Sequence, residues 1–482
     1  MVDAEDGERT PESIVLGVHR ITADGADYYL ADLAHELPLP IGTREGRADW
    51  CGRAADGLGL NGALDPEQFR AVLDGRHPAT AHGLGSSRTT VAGYDLTFSA
   101  PKSASVLFAL GGREVAHQVL AAHHEAVAGA VTYVERHGMS ARRGWGEERA
   151  IVRTTGMVAG SFTHGVNRNG DPHLHTHVVV ANMVHGEDGR WSACDQRGLW
   201  AHRPAAGATY ESHLRAGLSA SLGVRWSAGP GRRAEVQGVS PMLMGEFSSR
   251  AADIRRHMAR WGSHGGRGAK VAWAVTRPPK APGRSFAELA SDWERRARAV
   301  GESGAELVAH AGRRAGAVPT PVLSEYRFRA TLSQAADGAV RRRDLVEGFG
   351  TAAVDGARAP TLERLADLWV APTGHVGVAE EAHAPRAVVP GDHLIAALGP
   401  RPVNARDHRV WREGAQAIEA YRREWGVTKS AAPLGVDGPG CALSSLPAAR
   451  LAHHLRTVRT VEEARLRLGW REPRVLELDR GR

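Results

Sequence analysis

The chain has 482 residues, enough for two or three domains, and 42% of them are hydrophobic, so it can bury a substantial core. Its formal net charge of +7 and its isoelectric point near 9.6 point mildly to a polyanionic partner such as nucleic acid, although the arginine usage of GC-rich coding DNA explains this balance about equally well. Three cysteines that lie far apart, with no CxxC pair, argue against a disulfide framework and a thiolate zinc site and fit a reducing cytoplasm.

The amino-terminal stretch MVDAEDGERTPES is acidic and polar, which is not the pattern of a signal peptide. Nowhere in the chain do eighteen apolar residues follow one another. We therefore expect a cytoplasmic protein with neither a secretion signal nor a membrane span.

The first predicted segment, residues 14 to 230, is the candidate catalytic core. Apolar residues recur at helical spacing over Val115 to His137 and over Ala205 to Leu222, and a glycine closes each stretch. These two stretches are predicted to be helices that pack against the core.

Strands are predicted in the same segment at Gly93 to Phe98, Ile151 to Thr163 and His173 to Asn182. Successive strands are separated sometimes by a helix and sometimes by a loop. This order favours an α+β fold over a regularly alternating doubly wound sheet.

The second predicted segment, residues 231 to 320, is helical and basic. Ser240-Pro241 starts one predicted helix, which carries the charged run from Arg250 to Met258. Ser285-Phe-Ala-Glu288 is a capping box that opens another helix, predicted to end at Gly301. The charged run is either a solvated helix face or a contact with DNA phosphates.

The third predicted segment, residues 321 to 482, is helical, interrupted by proline and glycine, and without an assigned role. One predicted helix, which stops at Gly426, has four apolar residues on one side: Trp411, Ala415, Ile418 and Trp425. No GxxxxGK[ST] phosphate loop occurs in the chain, so the sequence has no signature of an ATP-driven motor.

Four histidines and an arginine lie within the fourteen residues from His164 to His177. On a strand, His173, His175 and His177 point to one side, with neighbours about 7 Å apart. Two of these imidazoles can share one ion, and His164 is the natural third ligand from a neighbouring strand end. The alternative is a surface strand that happens to be rich in histidine.

A site with three protein ligands leaves coordination positions open, as a catalytic metal requires. Because three neutral imidazoles leave the ion its full positive charge, such a site suits the anionic oxygens of a phosphodiester. The flanking Arg168 is a candidate for DNA or phosphate binding.

The segment Val91 to Ser103 contributes a carboxylate and a cation. Asp95 lies between core-like neighbours on a predicted strand. It is either a satisfied buried carboxylate or, as we favour, a group that orients a ligand histidine. The following turn precedes a helix start that could hold a phosphate through backbone N–H groups and Lys102.

The pair Tyr28-Tyr29 stands out in a chain with only seven tyrosines. Adjacent tyrosines are ordinarily amphipathic packing, but a phenol can also attack phosphorus. With a pKa of about 10, only about one phenol in a thousand is ionised at pH 7, a deficit of roughly 4 kcal/mol. A nearby cation such as a metal ion held by histidines would remove most of that deficit.

Together these blocks resemble the MobF-type conjugative relaxases, the class of HUH endonucleases that nicks plasmid DNA at an origin of transfer. The resemblance covers residues 14 to 300, and three blocks in family order carry it: Tyr28-Tyr29, Gly93 to Ser103, and Phe162 to His177. It implies an antiparallel sheet of about five strands, with the metal on the central strands and helices on the other face.

The resemblance implies a divalent ion, Mg²⁺, Mn²⁺ or Zn²⁺, on His164, His175 and His177, with no ligand role for His173. It also implies that Tyr28 is the nucleophile and Tyr29 its substitute. The tyrosine would attack the scissile phosphate of single-stranded DNA, release a 3′-hydroxyl and stay linked to the 5′-phosphate.

Asp95 falls on the family's aspartate that assists the tyrosine or orients a ligand histidine. The implied partners are single-stranded DNA at an origin of transfer, the conjugation machinery and a separate helicase.

Two departures separate the chain from many relatives. Leu37-Pro-Leu-Pro-Ile-Gly42 stands where a second tyrosine pair would be expected, and the helicase part of most relatives is missing. The C-terminal part resembles end regions of some actinobacterial relaxases.

Three other functions stay open from the residues alone. A rolling-circle replication initiator would use the same chemistry at a replication origin. A degenerate relaxase would only bind origin DNA. A three-histidine metallohydrolase for a small molecule would leave the basic charge and the tyrosine pair unexplained.

Overall fold

The structure is a computed structural model. It describes residues 15–22, 25–27, 48–85, 90–143, 150–228, 233–261, 271–272, 275–276, 284–311, 322–332, 340–370, 394, 397–398, 402, 405–425 and 448–468.

The chain forms two compact units: Met1–Pro319 with Val354–Pro360, and Thr320–Ala353 with Thr361–Arg482. The first unit contains the predicted core, 14–230, and all but the last residue of the predicted extension, 231–320. The second unit corresponds to the predicted C-terminal region, 321–482, without the returning segment Val354–Pro360, which belongs to the first unit.

The first unit is built on an antiparallel sheet, which confirms the predicted α+β fold. Its strands are β1 (Leu16–Ile21), β2 (Asp49–Cys51), β3 (Gly93–Ser99), β4 (Ser140–Arg143), β5 (Ala150–Val166), β6 (Pro172–Gly186) and β7 (Trp191–Ser192). The main order is β1-β3-β6-β5-β2, while β4 pairs with β5 and β7 with β6. A separate hairpin is formed by β8 (Trp226–Ala228) and β9 (Ala234–Val236).

The central strand β6 changes character along its length. In its first half, the partly exposed His173, His175 and His177 alternate with the buried Leu174 and Thr176. In its second half, the β-branched run from Val178 to Val180 is fully buried on both faces of the sheet. Strand β6 is therefore held firmly at one end and presents its histidines at the other.

Nine helices are described in the first unit: α1 (Arg53–Gly57), α2 (Pro66–Leu73), α3 (Lys102–Leu110), α4 (Gly112–Tyr133), α5 (Gln196–Leu222), α6 (Pro241–Glu246), α7 (Ser249–Arg260), α8 (Phe286–Ala299) and α9 (Gly304–Ala311). A π-helical turn, Val134–Gly138, continues α4 up to the predicted glycine stop. Helix α5 begins nine residues before the predicted start, because it continues through Pro204 and is capped by Asp195.

One prediction for the second segment, residues 231 to 320, is wrong. The single helix expected from Ser240-Pro241 is two helices, α6 and α7, because the chain turns at Phe247 to bury that side chain. The predicted capping box is present, since the Ser285 and Glu288 side chains exchange hydrogen bonds with each other's backbone at the start of α8.

Each face of the sheet has its own core. On one face, Phe98 of β3 packs against Tyr210 of α5, with ring centroids 5.4 Å apart. On the other face, Phe69 of α2 contacts Trp50 and Phe162 at 6.0 and 5.5 Å. The histidines of β6 lie on this second face, beyond the edge of its core.

The second unit is helical, as predicted. Its helices are α10 (Glu325–Leu332), α11 (Arg342–Ala352), most of α12 (Ala359–Val370), α13 (Ala405–Glu424) and α14 (Ala448–Leu468). Phe328 stacks on Phe349 at 4.6 Å, and the predicted apolar side of α13 buries Trp411 and Ile418. Among the described residues, no helix is both long and apolar enough to cross a membrane.

Candidate metal centre

Two adjacent strands bring three histidines together. In the antiparallel register, His164 of β5 lies opposite His175 of β6, and His177 lies one position further along the same face. One ligand atom from each residue lies within 4.8 Å of the other two. The ring centroids are 5.1 to 5.5 Å apart. This spacing suits three ligands that converge on one ion.

The ring of His177 is oriented from strand β3. Its Nδ1 lies 2.9 Å from both carboxylate oxygens of the buried Asp95 and 3.1 Å from the hydroxyl of Thr97. A histidine that donates from Nδ1 to a carboxylate binds a metal through Nε2. Asp95 fits both of its predicted descriptions, a satisfied buried carboxylate and a group that orients a ligand histidine, because the carboxylate is buried and contacts a candidate ligand.

His175 is oriented by the backbone of its own strand. Its Nδ1 lies 2.8 Å from the carbonyl oxygen of His173, which accepts the hydrogen bond, so Nε2 is the nitrogen for a metal ion. Burial, followed by the neighbouring histidines, holds the pKa of His175 well below its usual range. A neutral imidazole is the form that binds a metal.

His173 stands apart from the three-histidine cluster. Its ring lies 4.6 Å from that of His175, but it is not among the residues whose ligand atoms converge. Burial first, and then the nearby Lys102, lower the pKa of His173 to about 3. The structure therefore places the neutral imidazole of His173 beside the three-histidine cluster.

The groups predicted to hold a phosphate, Lys102 and the backbone N–H groups at the start of α3, have hydrogen-bond partners within the protein. The Nζ of Lys102 donates to the carbonyl oxygens of Pro172, at 2.9 Å, and Phe247, at 2.8 Å. The backbone N–H of Ser103, at the start of α3, donates to the carboxylate of Glu235 at 2.9 Å. Glu235 thus occupies the position expected for a phosphate, and a phosphate contact of Lys102 stays a prediction.

Of the three other predicted site residues, the structure describes only Arg168. Arg168 lies in the turn between β5 and β6, close in sequence to the cluster. Tyr28 and Tyr29 lie outside the described residues. The described chain before them ends at Asp27, whose carboxylate pairs with Arg70 of α2.

A polar network behind the site was not predicted. On the helix-facing side of the sheet, His123 of α4 contacts the hydroxyls of Tyr210, at 2.8 Å, and Thr176, at 2.7 Å. Thr176 in turn lies 2.9 Å from the hydroxyl of Thr163, the neighbour of His164. The residues that flank His123 in the sequence do not indicate whether this histidine is buried or exposed.

An antiparallel sheet with the long helices α4 and α5 over one face and three clustered histidines on the other defines a candidate metal centre of the open, catalytic type. The family model described as TrwC relaxase matches residues 16–300, which is more than half of the chain. The chain therefore belongs to the TrwC relaxase family, and the resemblance to the conjugative relaxases is confirmed.

Two curated relatives carry the description "Multifunctional conjugation protein TraI". One, from Escherichia coli, is 38% identical over 178 residues, which are 34% of this chain and 10% of that protein. The other, from Escherichia coli strain K12, is 36% identical over 179 residues, with the same coverage. This chain thus spans about a tenth of the length of these relatives.

Solved structures of the conjugative relaxase TrwC in complex with oriT DNA are similar in fold. A copper-bound form is 27% identical with a TM-score of 0.55, and a metal-free form is 26% identical with a TM-score of 0.54. Each alignment covers 60% of this chain and 99% of the TrwC chain.

Proposed function

We propose that this chain nicks and rejoins single-stranded DNA at an origin of transfer, and so initiates transfer of a conjugative plasmid or mobile element. The observation that carries the proposal is the three-histidine cluster, with Asp95 behind His177, on the sheet of a TrwC relaxase family member. The similar structures hold oriT DNA, and the curated relatives are named conjugation proteins.

The residues of the cluster fit a divalent metal ion. His164, His175 and His177 would hold it, and their neutral nitrogens favour Mn²⁺, Zn²⁺ or Cu²⁺ over Mg²⁺, which prefers oxygen ligands. When bound, the ion would polarise the scissile phosphate and stabilise charge on its oxygens. The similar TrwC structures include metal-bound forms.

The reaction itself is a transesterification by tyrosine. The phenol oxygen of Tyr28 forms a bond to phosphorus while the bond from phosphorus to the 3′ oxygen breaks and that oxygen leaves with a proton. Tyr29 is the substitute nucleophile, and Asp95 keeps His177 in the tautomer that binds metal. Reversal of the same step rejoins the strand.

Charged residues near the cluster complete the proposal. Arg168, in the β5–β6 turn, would contact the DNA backbone, and the half-buried Lys102 would act close to the phosphate. The proposed partners are origin DNA, the conjugation machinery and a separate helicase, and the proposed location is the cytoplasm.

The test is formation of a covalent adduct with DNA. Purified protein, Mn²⁺ and labelled oligonucleotides that tile the origin of its own mobile element should give a band resistant to denaturant. Tyr28→Phe is expected to remove most of this band and leave only the weaker adduct of Tyr29, while Tyr29→Phe, the matched control, is expected to retain it. Equal adduct in both single variants would refute the nucleophile assignment, and absence of adduct from the unaltered protein on every oligonucleotide would refute the nicking function.

A further inference from the structure

A fully buried carboxylate, Asp171, lies in the turn between β5 and β6. One of its oxygens accepts hydrogen bonds from the backbone N–H of Ser249, at 3.0 Å, and from the hydroxyl of Ser249, at 2.5 Å. The other accepts from Nη2 of Arg296 at 3.0 Å. A charge buried this deeply is tolerated only when it is paired and hydrogen-bonded, so these contacts fix the place of the turn.

The donors to Asp171 come from helices far along the chain. Ser249 begins α7 and Arg296 lies on α8, 78 and 125 residues away in sequence. The same Arg296 donates to the side chain of Glu246 at 2.8 Å and lies 4.7 Å over the ring of Phe247. The carboxylate thus ties the β5–β6 turn to a helical region already held together by its own contacts.

The residues on either side of Asp171 are also held by hydrogen bonds to their backbone carbonyl oxygens. The buried Trp293 of α8 donates from Nε1 to the carbonyl oxygen of Gly170 at 2.7 Å. Lys102 bridges the carbonyl oxygens of Pro172 and Phe247. The backbone is therefore fixed at the residue before Asp171 and at the residue after it.

This fixed backbone leads directly into a candidate metal ligand. Pro172 is followed by His173, whose carbonyl oxygen accepts the hydrogen bond from Nδ1 of His175. A shift of that peptide would turn the ring of His175 away from the cluster. The ring of His177 has a different support, the carboxylate of Asp95 on β3.

We propose that Asp171 is a positioning residue for the metal centre: through Ser249 and Arg296 it holds the turn that aims the His173 carbonyl, and with it the His175 ring. The inference rests on the metal centre of the proposed function. It assigns a role in metal binding to helices α7 and α8, which contribute none of the three clustered histidines.

Metal titration of the 482-residue chain tests this role without DNA. Co²⁺ is added to metal-free protein, and both the affinity and the visible absorption spectrum are recorded. Asp171→Asn is expected to weaken Co²⁺ binding about 10- to 100-fold, the effect usual for residues that orient a metal ligand, and to alter the spectrum. The matched control is Asp188→Asn, which removes a carboxylate paired with Arg143 at the β6–β7 turn and is expected to change neither.

Two further variants cover the case in which Asp171→Asn does not fold. Ser249→Ala removes the hydroxyl, which donates to Asp171 and accepts from Asn169, but keeps the backbone contact with Asp171. Arg296→Lys keeps the charge with fewer donors. Both are expected to bind Co²⁺ more weakly than the unaltered protein, and Arg296→Lys more tightly than Arg296→Ala.

Folded Asp171→Asn with unchanged affinity and spectrum would overturn the inference while leaving the nicking function intact. If Asp171→Asn does not fold, unchanged Co²⁺ binding in Ser249→Ala and Arg296→Lys would overturn it equally. Failure of the unaltered protein to bind Co²⁺ would instead count against the proposed metal centre.

Discussion

At the scale of single residues, the candidate ligands owe their orientation to different parts of the chain. Asp95 holds His177 across the β3–β6 pair, and the carbonyl of His173 holds His175 within β6. Because Nδ1 of His175 and Nδ1 of His177 are already engaged, Nε2 of each ring is oriented before any ion arrives. Such preorganisation lowers the cost of metal binding.

The contribution of Asp95 can be measured by substitution. Asp95→Ala removes the acceptor at Nδ1 of His177, so metal affinity is expected to fall about 10- to 100-fold. Thr97→Val is the control, since it removes a hydroxyl near the same nitrogen but keeps the carboxylate, and a smaller loss is expected. Calorimetric titration with Mn²⁺ checks both, and unaltered affinity in Asp95→Ala would show that the carboxylate does not support the ligand.

At the scale of elements, the network around His123 makes the packing of α4 on the sheet sensitive to acid. Burial is the main cause that holds the pKa of His123 well below 6.5, and both ring nitrogens are engaged by hydroxyls. Between pH 7.5 and 5.5 the unfolded chain takes up a proton on this residue and the folded chain does not. The folded state should therefore lose about 1.4 kcal/mol from this residue over that interval.

Urea unfolding of metal-free protein at the two pH values measures this effect. In His123→Gln the loss of stability on acidification is expected to be smaller by about that 1.4 kcal/mol, because the titrating group is gone. His19→Gln, at an exposed position on β1, should leave the loss unchanged. An undiminished loss in His123→Gln would show that this histidine is not the neutral group that the structure implies.

Elements with strong local patterns could be predicted from the sequence, and elements defined by partners elsewhere could not. The histidine strand, β3 and the capping box of α8 have side-chain periods or cap residues that can be read within a few residues. Strands β1 and β2 are short, six and three residues, and exist through pairing with β3 and β5. No local signal marks such pairing in advance.

The candidate metal centre likewise combines residues that local sequence patterns predict with residues that depend on distant partners. Alternation on a strand predicts that the three histidines of β6 share one face near His164, but only the resemblance to the relaxases selects His164, His175 and His177, which the structure brings together. The partners of Lys102 and Asp171 could not be anticipated, because Phe247 and Arg296 lie more than a hundred residues away along the chain.

At the scale of the whole molecule, the first unit includes a short segment from beyond residue 319. Within Val354–Pro360, the side chain of Asp355 accepts from the backbone N–H of Trp226 at 3.3 Å, and the backbone N–H of Ala357 donates to Ser212 at 2.8 Å. The partners of this segment, Ser212 and Trp226, are buried. A fragment that ends at Pro319 would leave them without these contacts.

Fragments 1–319 and 1–360 should therefore differ in stability. Each buried polar group left without its partner costs about 1–3 kcal/mol, so 1–360 is expected to unfold at a temperature several degrees higher. Differential scanning calorimetry of the two fragments checks this. Equal melting temperatures would show that the returning segment adds nothing to the first unit.

The proposed nicking activity depends on one metal ion bound at one place. Crystals grown with Zn²⁺ and measured at the zinc absorption edge locate that ion directly. We expect one strong anomalous peak about 2.0–2.1 Å from a ring nitrogen of each of His164, His175 and His177. A fully occupied peak elsewhere, or no peak within bonding distance of these three rings, would contradict the proposed metal centre.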